Sequence, residues 1–283
     1  MRSKSLSTLL VLVALLQARG LVAETVAVRH LEGTVHGFLT LRTPAGDTLA
    51  AGDLIQVVRG DRATSSLIFR FRDGSIDDET AVFSQRETFR LISYRHVQKG
   101  PTFPHPMDVS INPATGQITV RSVEDGKEKV ETDHLDLPPD LANGLLLTIV
   151  KNIPADATET KLSYVAATPK PRLVKLAIAP QGEETFSIGR RRHRATRYVV
   201  KAKIGGLTGV MAGLLGKQPP DTHLWVLGGK APAFINSKGP FTWAVLFGKL
   251  SWRVRYGSDR ISPRLGGTLS QGLRIATRPR WRL

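Results

Sequence analysis

Apolar and polar positions alternate along most of this chain, and the alternation predicts strand after strand. Thr34 to Leu41 alternates and ends at the turn Pro44-Ala45-Gly46-Asp47. Leu54 to Val58 is bounded by Gly52-Asp53 and Gly60-Asp61, and Leu67, Phe69 and Phe71 share one face of the next run. Asp73-Gly74 and Asp125-Gly126 then sit between alternating segments, which is a strong short-range hairpin signal. Runs at 79–85, 88–97, 108–111, 117–123 and 129–134 complete the first half. Turn signals every 8–12 residues predict an antiparallel meander, rolled into a half-barrel or barrel.

One stretch changes period. Pro138-Pro139-Asp140 is a helix-start signal. Leu141, Leu145, Leu146, Ile149 and Val150 then recur at helical spacing until Asn152-Ile153-Pro154. The pattern predicts one helix over about 138–152, lying across the sheet or plugging its mouth. Strands resume at 160–166, 173–179, 184–188, 196–204 and 223–227, with a glycine-rich apolar stretch at 205–216. No repeat of fixed period and no linker divides 24–240, so it reads as one β-rich domain.

The amino end adds an address. Arg2 and Lys4 precede the run Leu6 to Leu16, and small residues follow at Ala18-Arg19-Gly20 and Leu21-Val22-Ala23. This is the pattern of a secretory signal peptide over 1–23, cut after Gly20 or Ala23. The run is shorter than the roughly 20 residues that a membrane helix needs. With no cysteine anywhere, the chain fits a bacterial periplasmic or secreted location better than a disulfide-stapled scaffold.

The net charge of +16 suggests nucleic acid, but its distribution argues against that reading. Residues 24–240 hold 28 basic and 23 acidic residues, an ordinary balance. The excess sits in the leader and in 241–283, which carries nine basic residues against Asp259 alone, with three of the four tryptophans. Arginine, glycine and proline enrichment with few acids is what a shifted frame of a GC-rich gene yields. We therefore read 241–283 as a basic tail, disordered or frame-shifted, the natural frame adding one more edge strand.

Candidate chemistry is sparse. Asp73, Asp77, Asp78 and Glu79 cluster, but their spacing misses the calcium-loop pattern. His105-Pro106-Met107-Asp108 offers mixed ligand types in a loop where they do not converge. Asp133 and His134 are neighbours, which in a strand sends them to opposite faces. No Gly-x-Ser-x-Gly elbow and no phosphate-cradling loop is present. No catalytic residue, metal site or cofactor is assigned. The densest basic cluster of the body is Arg190, Arg191, Arg192, Arg194 and Arg197, a candidate anion-binding site because guanidinium groups pair phosphate oxygens. Arg192, Arg194 and Tyr198 share a face if the strand starts early.

An exported chain of antiparallel strands around one helix resembles the bacterial periplasmic half-barrel proteins. These are the lipoprotein-carrier family and uncharacterised spiral β-roll families of the envelope. The segments that carry the resemblance are Phe69-Arg70-Phe71-Arg72-Asp73-Gly74-Ser75, Leu137-Pro138-Pro139-Asp140 and Gly216-Lys217-Gln218-Pro219-Pro220-Asp221. It implies a concave apolar face that holds a lipid or another envelope component, and it carries over no functional residue. The expected function is binding of an apolar or amphipathic ligand on that face, with an anionic membrane surface as a second partner and no nucleic acid. The alternatives are a β-rich enzyme acting on envelope polymers and a structural partner-binding module. A cleft of convergent titratable groups would favour the enzyme, and a filled interior the module.

Overall fold

A computed structural model describes residues 25–124, 126–167, 170–188, 190–203, 220–240 and 253–256, the last as backbone alone. Residues 1–23, read above as a signal peptide, the glycine-rich stretch 205–216 and most of the basic tail lie outside the described residues. The first meander comprises β1 (Val35–Arg42), β2 (Thr48–Arg59), β3 (Arg62–Phe71), β4 (Ile76–Gln85), β5 (Phe89–Lys99), β6 (Met107–Asn112), β7 (Gln117–Glu124) and β8 (Lys127–His134). After a short helix, α1 (Leu146–Val150), the second comprises β9 (Thr160–Ala166), β10 (Arg172–Ile188), β11 (Arg191–Lys203), β12 (Thr222–Leu227) and β13 (Ala233–Pro240). The four residues of β14 (Arg253–Tyr256) lie between β1 and β13, joining both meanders into one 14-stranded sheet, antiparallel at every neighbour described above. The expected mainly β, rolled antiparallel architecture is what the chain adopts. Within the basic tail, this strand holds a central position in the sheet.

The sheet ends at β8 on one side and β9 on the other. Each edge is protected differently. β8 is solvated along its length and rich in charge at Lys127, Glu128, Lys129 and Glu131, which discourages pairing with another chain. The β9 edge is covered by the chain itself. Ala142 N–H donates to Ser163 O, Ser163 N–H donates to Asp140 O, and the Asn143 amide spans Val165 at 3.0 and 2.9 Å, acting as a side-chain surrogate for a strand.

That pairing explains why the helix is shorter than its pattern predicts. Helical spacing runs from Leu141, but Asp140 to Asn143 is drawn out along β9 and Gly144 takes a left-handed φ of 68°. A Cβ on Gly144 would sit 2.6 Å from Ala81 Cβ, so the bare glycine lets the segment lie directly on β4 and β5. Only then does α1 form. Leu141, Ala142, Leu145, Ile149, Val150 and Ile153 are buried in the main core, between inward residues of both meanders such as Phe83, Ile111, Ile118, Leu176 and Tyr198. At the amino end, Asn152 Oδ1 accepts from Arg29 N–H and His30 N–H at 2.9 and 2.8 Å, while its amide donates to Thr148 O. Glu32 meets Lys151 at 2.7 Å and Gln56 at 2.9 Å, tying the same strap to α1 and β2.

Candidate functional site

Strand alternation sets two distinct surfaces on the concave side of the first meander. The first is apolar. Register pairs Leu39 with Gly52 and Gly52 with Phe69, Leu41 with Ala50, Leu54 with Leu67, and Ala50 with Phe71, so these residues line one face of β1–β3. Leu41, Ala50 and Phe69 are fully buried there, and Leu39, Leu67 and Phe71 are half-buried beside them. Gly52 makes room for the Phe69 ring, since a Cβ would lie 2.6 Å from it. The Phe71 ring meets Phe103 edge-on at 5.3 Å. This cluster is separate from the main core that receives the 140–153 segment.

The second surface is polar and enclosed. Phe69 pairs with Asp77 and Leu67 with Glu79, so the next strand turns carboxylates to the same side. Opposite them on β5 stand Gln98, His96 and Tyr94. His96 Nε2 lies 3.1 Å from Asp77 Oδ2, Gln98 donates to the same oxygen at 2.5 Å, and Tyr94 OH donates to Glu79 Oε1 at 2.8 Å. Asp77 and His96 are each 3% exposed, so a ligand in solvent does not touch them. Tyr164 of β9 reaches Tyr94 from the far meander.

Burial in this cluster decides the charges. Desolvation raises the Glu79 carboxyl above its usual range, only partly offset by His96 and the Tyr94 hydrogen bond. Burial pushes His96 down, but the combined pull of Asp77, Glu79 and Asp78 outweighs it and holds the imidazole above its ordinary value. Tyr94 is raised well above its ordinary value, by burial first and then by Glu79. The arrangement is a hydrogen-bonded network of compensating groups between β4 and β5, and its Tyr94 ring lies against the 140–153 segment at Gly144.

The sequence candidates disperse or converge as follows. Of the acidic cluster, Asp77 and Glu79 face inward, while Asp78 takes the opposite face by alternation. Asp73 caps its own turn through Ser75 N–H and accepts from Thr102 Oγ1 at 2.7 Å, which lowers its carboxyl below the usual range. His105 lies in an exposed turn, Met107 is buried, and Asp108 takes a two-point bond from Arg95 at 3.0 and 2.8 Å. Asp133 and His134 do fall on opposite faces of β8. Among the described residues no group of three or more His, Cys, Asp or Glu side chains is placed to hold a metal ion. Sequence reasoning missed the His96–Asp77 pair, because 19 residues separate the partners and only the β4–β5 register aligns them.

Apart from Arg190, which lies in the turn, the arginine cluster is strand. β11 begins at Arg191 and pairs with the outer end of β10, so Arg192, Arg194 and Tyr198 do share a face. Arg194 is ion-paired with Glu183, and Arg197 with Glu184 at 3.4 Å. Arg190, Arg191 and Arg192 are exposed and make no ion pair among the described residues.

The fold therefore defines a mainly β protein whose open, rolled sheet encloses a short helix. No protein-family model matches the chain, and no curated protein matches it. Among solved structures, it is similar to a beta-barrel-like protein of a domain of unknown function, DUF1849, from Brucella abortus. The two share 10% identity at a TM-score of 0.46, over 88% of this chain and 100% of that one.

Proposed function

We propose that the chain is an exported envelope protein that binds an apolar or amphipathic ligand along the concave strip of β1–β3. The observation that carries this reading is the second apolar cluster. Leu39, Leu67 and Phe71 remain half-buried beside the fully buried Leu41, Ala50 and Phe69, on the same face of the sheet as the main core. Among the described residues, the 140–153 segment packs on the main cluster and not on this one. Acyl chains are the matching chemistry, since the strip offers alkyl and aromatic faces and its polar neighbours already satisfy one another. The main concave surface is taken by the chain's own segment, so the ligand lies beside that segment and not beneath it.

The test is displacement of a fluorescent fatty-acid analogue from the purified full chain by fatty acids and phospholipids. Leu67→Asp and Phe71→Asp each place a carboxylate in the strip, and each is expected to weaken binding at least tenfold while the protein keeps its far-ultraviolet β spectrum. Binding that is unchanged in both folded variants refutes the site.

A further inference from the structure

The β10–β11 hairpin outruns its neighbours. β9 pairs with β10 only as far as Ile178, and β12 pairs with β11 only as far as Ala195. Beyond those points four residue pairs continue alone: Thr185 with Arg194, Phe186 with His193, Ser187 with Arg192 and Ile188 with Arg191. Among the described residues this ribbon has no third strand, and at ~3.3 Å per residue it projects about 13 Å past the sheet. A bare two-stranded ribbon is marginally stable in water and exposes side chains on both faces, so its composition is informative.

That composition is two-sided. One face carries Phe186 and Ile188 with His193 and Arg191 opposite them; the other carries Thr185 and Ser187 with Arg194 and Arg192. Ile188, at the tip, is 44% exposed. Among the described residues, the acids Glu183 and Glu184 stand at the base and are paired with Arg194 and Arg197, and Arg190, Arg191 and Arg192, outward of them, make no ion pair. Lys230, in the turn that follows β12, is exposed and adds to the same charge, because Leu227 at the start of that turn pairs with Ala195. At the base on the other side, Glu159 is paired with Lys161.

We propose that this ribbon is a docking arm for an anionic lipid surface. Ile188 enters the headgroup boundary while Arg190, Arg191 and Arg192 meet phosphates. Charge alone would suit any polyanion; the exposed isoleucine among arginines selects a surface with an apolar layer behind its phosphates. The arm stands apart from the β1–β3 strip, so this holds whether or not that strip binds a ligand.

The absence of cysteine gives a clean experiment. Ile188→Cys in the full chain is labelled with a polarity-sensitive fluorophore and titrated with vesicles of mixed phosphatidylglycerol and phosphatidylcholine, or of phosphatidylcholine alone. The expected result is a blue shift with the anionic vesicles only. Arg190→Gln, Arg191→Gln and Arg192→Gln together should lower the apparent vesicle affinity about a hundredfold, from roughly fivefold for each surface-proximal charge. Arg278→Gln, Arg280→Gln and Arg282→Gln serve as a tail control of equal charge. Co-sedimentation without any probe shift, loss of binding in the tail control but not in the arm variant, or a shift with soluble polyphosphate and none with vesicles would each overturn the proposal.

Discussion

Replacing His96 by leucine removes one member of a pair enclosed on all sides. Among the described residues Asp77 then keeps the Gln98 amide, at 2.5 Å, and Asp77 is only 3% exposed in the wild type. Breaking a buried pair by deleting one partner costs about 3–5 kcal/mol, and the surviving bond places this case near the lower end, at about 3 kcal/mol. With a urea dependence of about 2 kcal/mol per molar for a domain of this size, the unfolding midpoint should fall by about 1.5 M. The pH dependence has a definite sign. His96 is held above its ordinary value of 6.5 in the folded state, so its contribution is fully present below 6.5 and is lost as pH rises through the folded value. The gap between wild type and His96→Leu, followed by urea titration from slightly acidic to alkaline pH, should therefore narrow as pH rises. The paired variant Asp77→Leu with His96→Leu should recover most of the loss, because no charge is left stranded. A gap below about 1 kcal/mol at slightly acidic pH, or one that widens with pH, would refute the reasoning.

Glu79, also held above its ordinary value of 4.5, contributes in the same direction, so the stability difference between wild type and Glu79→Gln should shift against the wild type as pH rises from 4.5; a difference that does not change with pH in urea titrations would count against burial as the cause. Gly144→Ala should cost about 2–4 kcal/mol by thermal or urea unfolding, combining left-handed strain at φ 68° with a Cβ 2.6 Å from Ala81, whereas Gly74→Ala, at a φ of 85° with open space around it, should cost about 1–2 kcal/mol from strain alone. Asn152→Ala strands the N–H groups of Arg29 and His30 and should cost about 2–3 kcal/mol, with faster hydrogen exchange confined to those amides and α1.

Period-two patterning and turn chemistry are local properties, and they determined most of the fold in advance. Each alternating run around Asp73-Gly74, Asn112 to Gly116 and Asp125-Gly126 became a hairpin, since register follows from the turn and from which face is apolar. The opposite placement of Asp133 and His134 was legible for the same reason. The extent of the helix was not. Leu141 and Leu145 recur at helical spacing, yet the open edge of β9 competes for the backbone of Asp140 to Asn143, and an edge 20 residues away leaves no trace in local periodicity. Nor was the reach of the arginine strand legible: a run of arginines is solvated in loop and ribbon alike, and only the length of β10 shows that it runs on past its described neighbours. The polar cluster depended wholly on tertiary structure. Asp77, Glu79, Tyr94 and His96 lie on two strands whose alternation looks ordinary, and the shifts of Glu79, Tyr94 and His96 come from burial and from charges brought together across the β4–β5 register, which no pattern within either strand encodes.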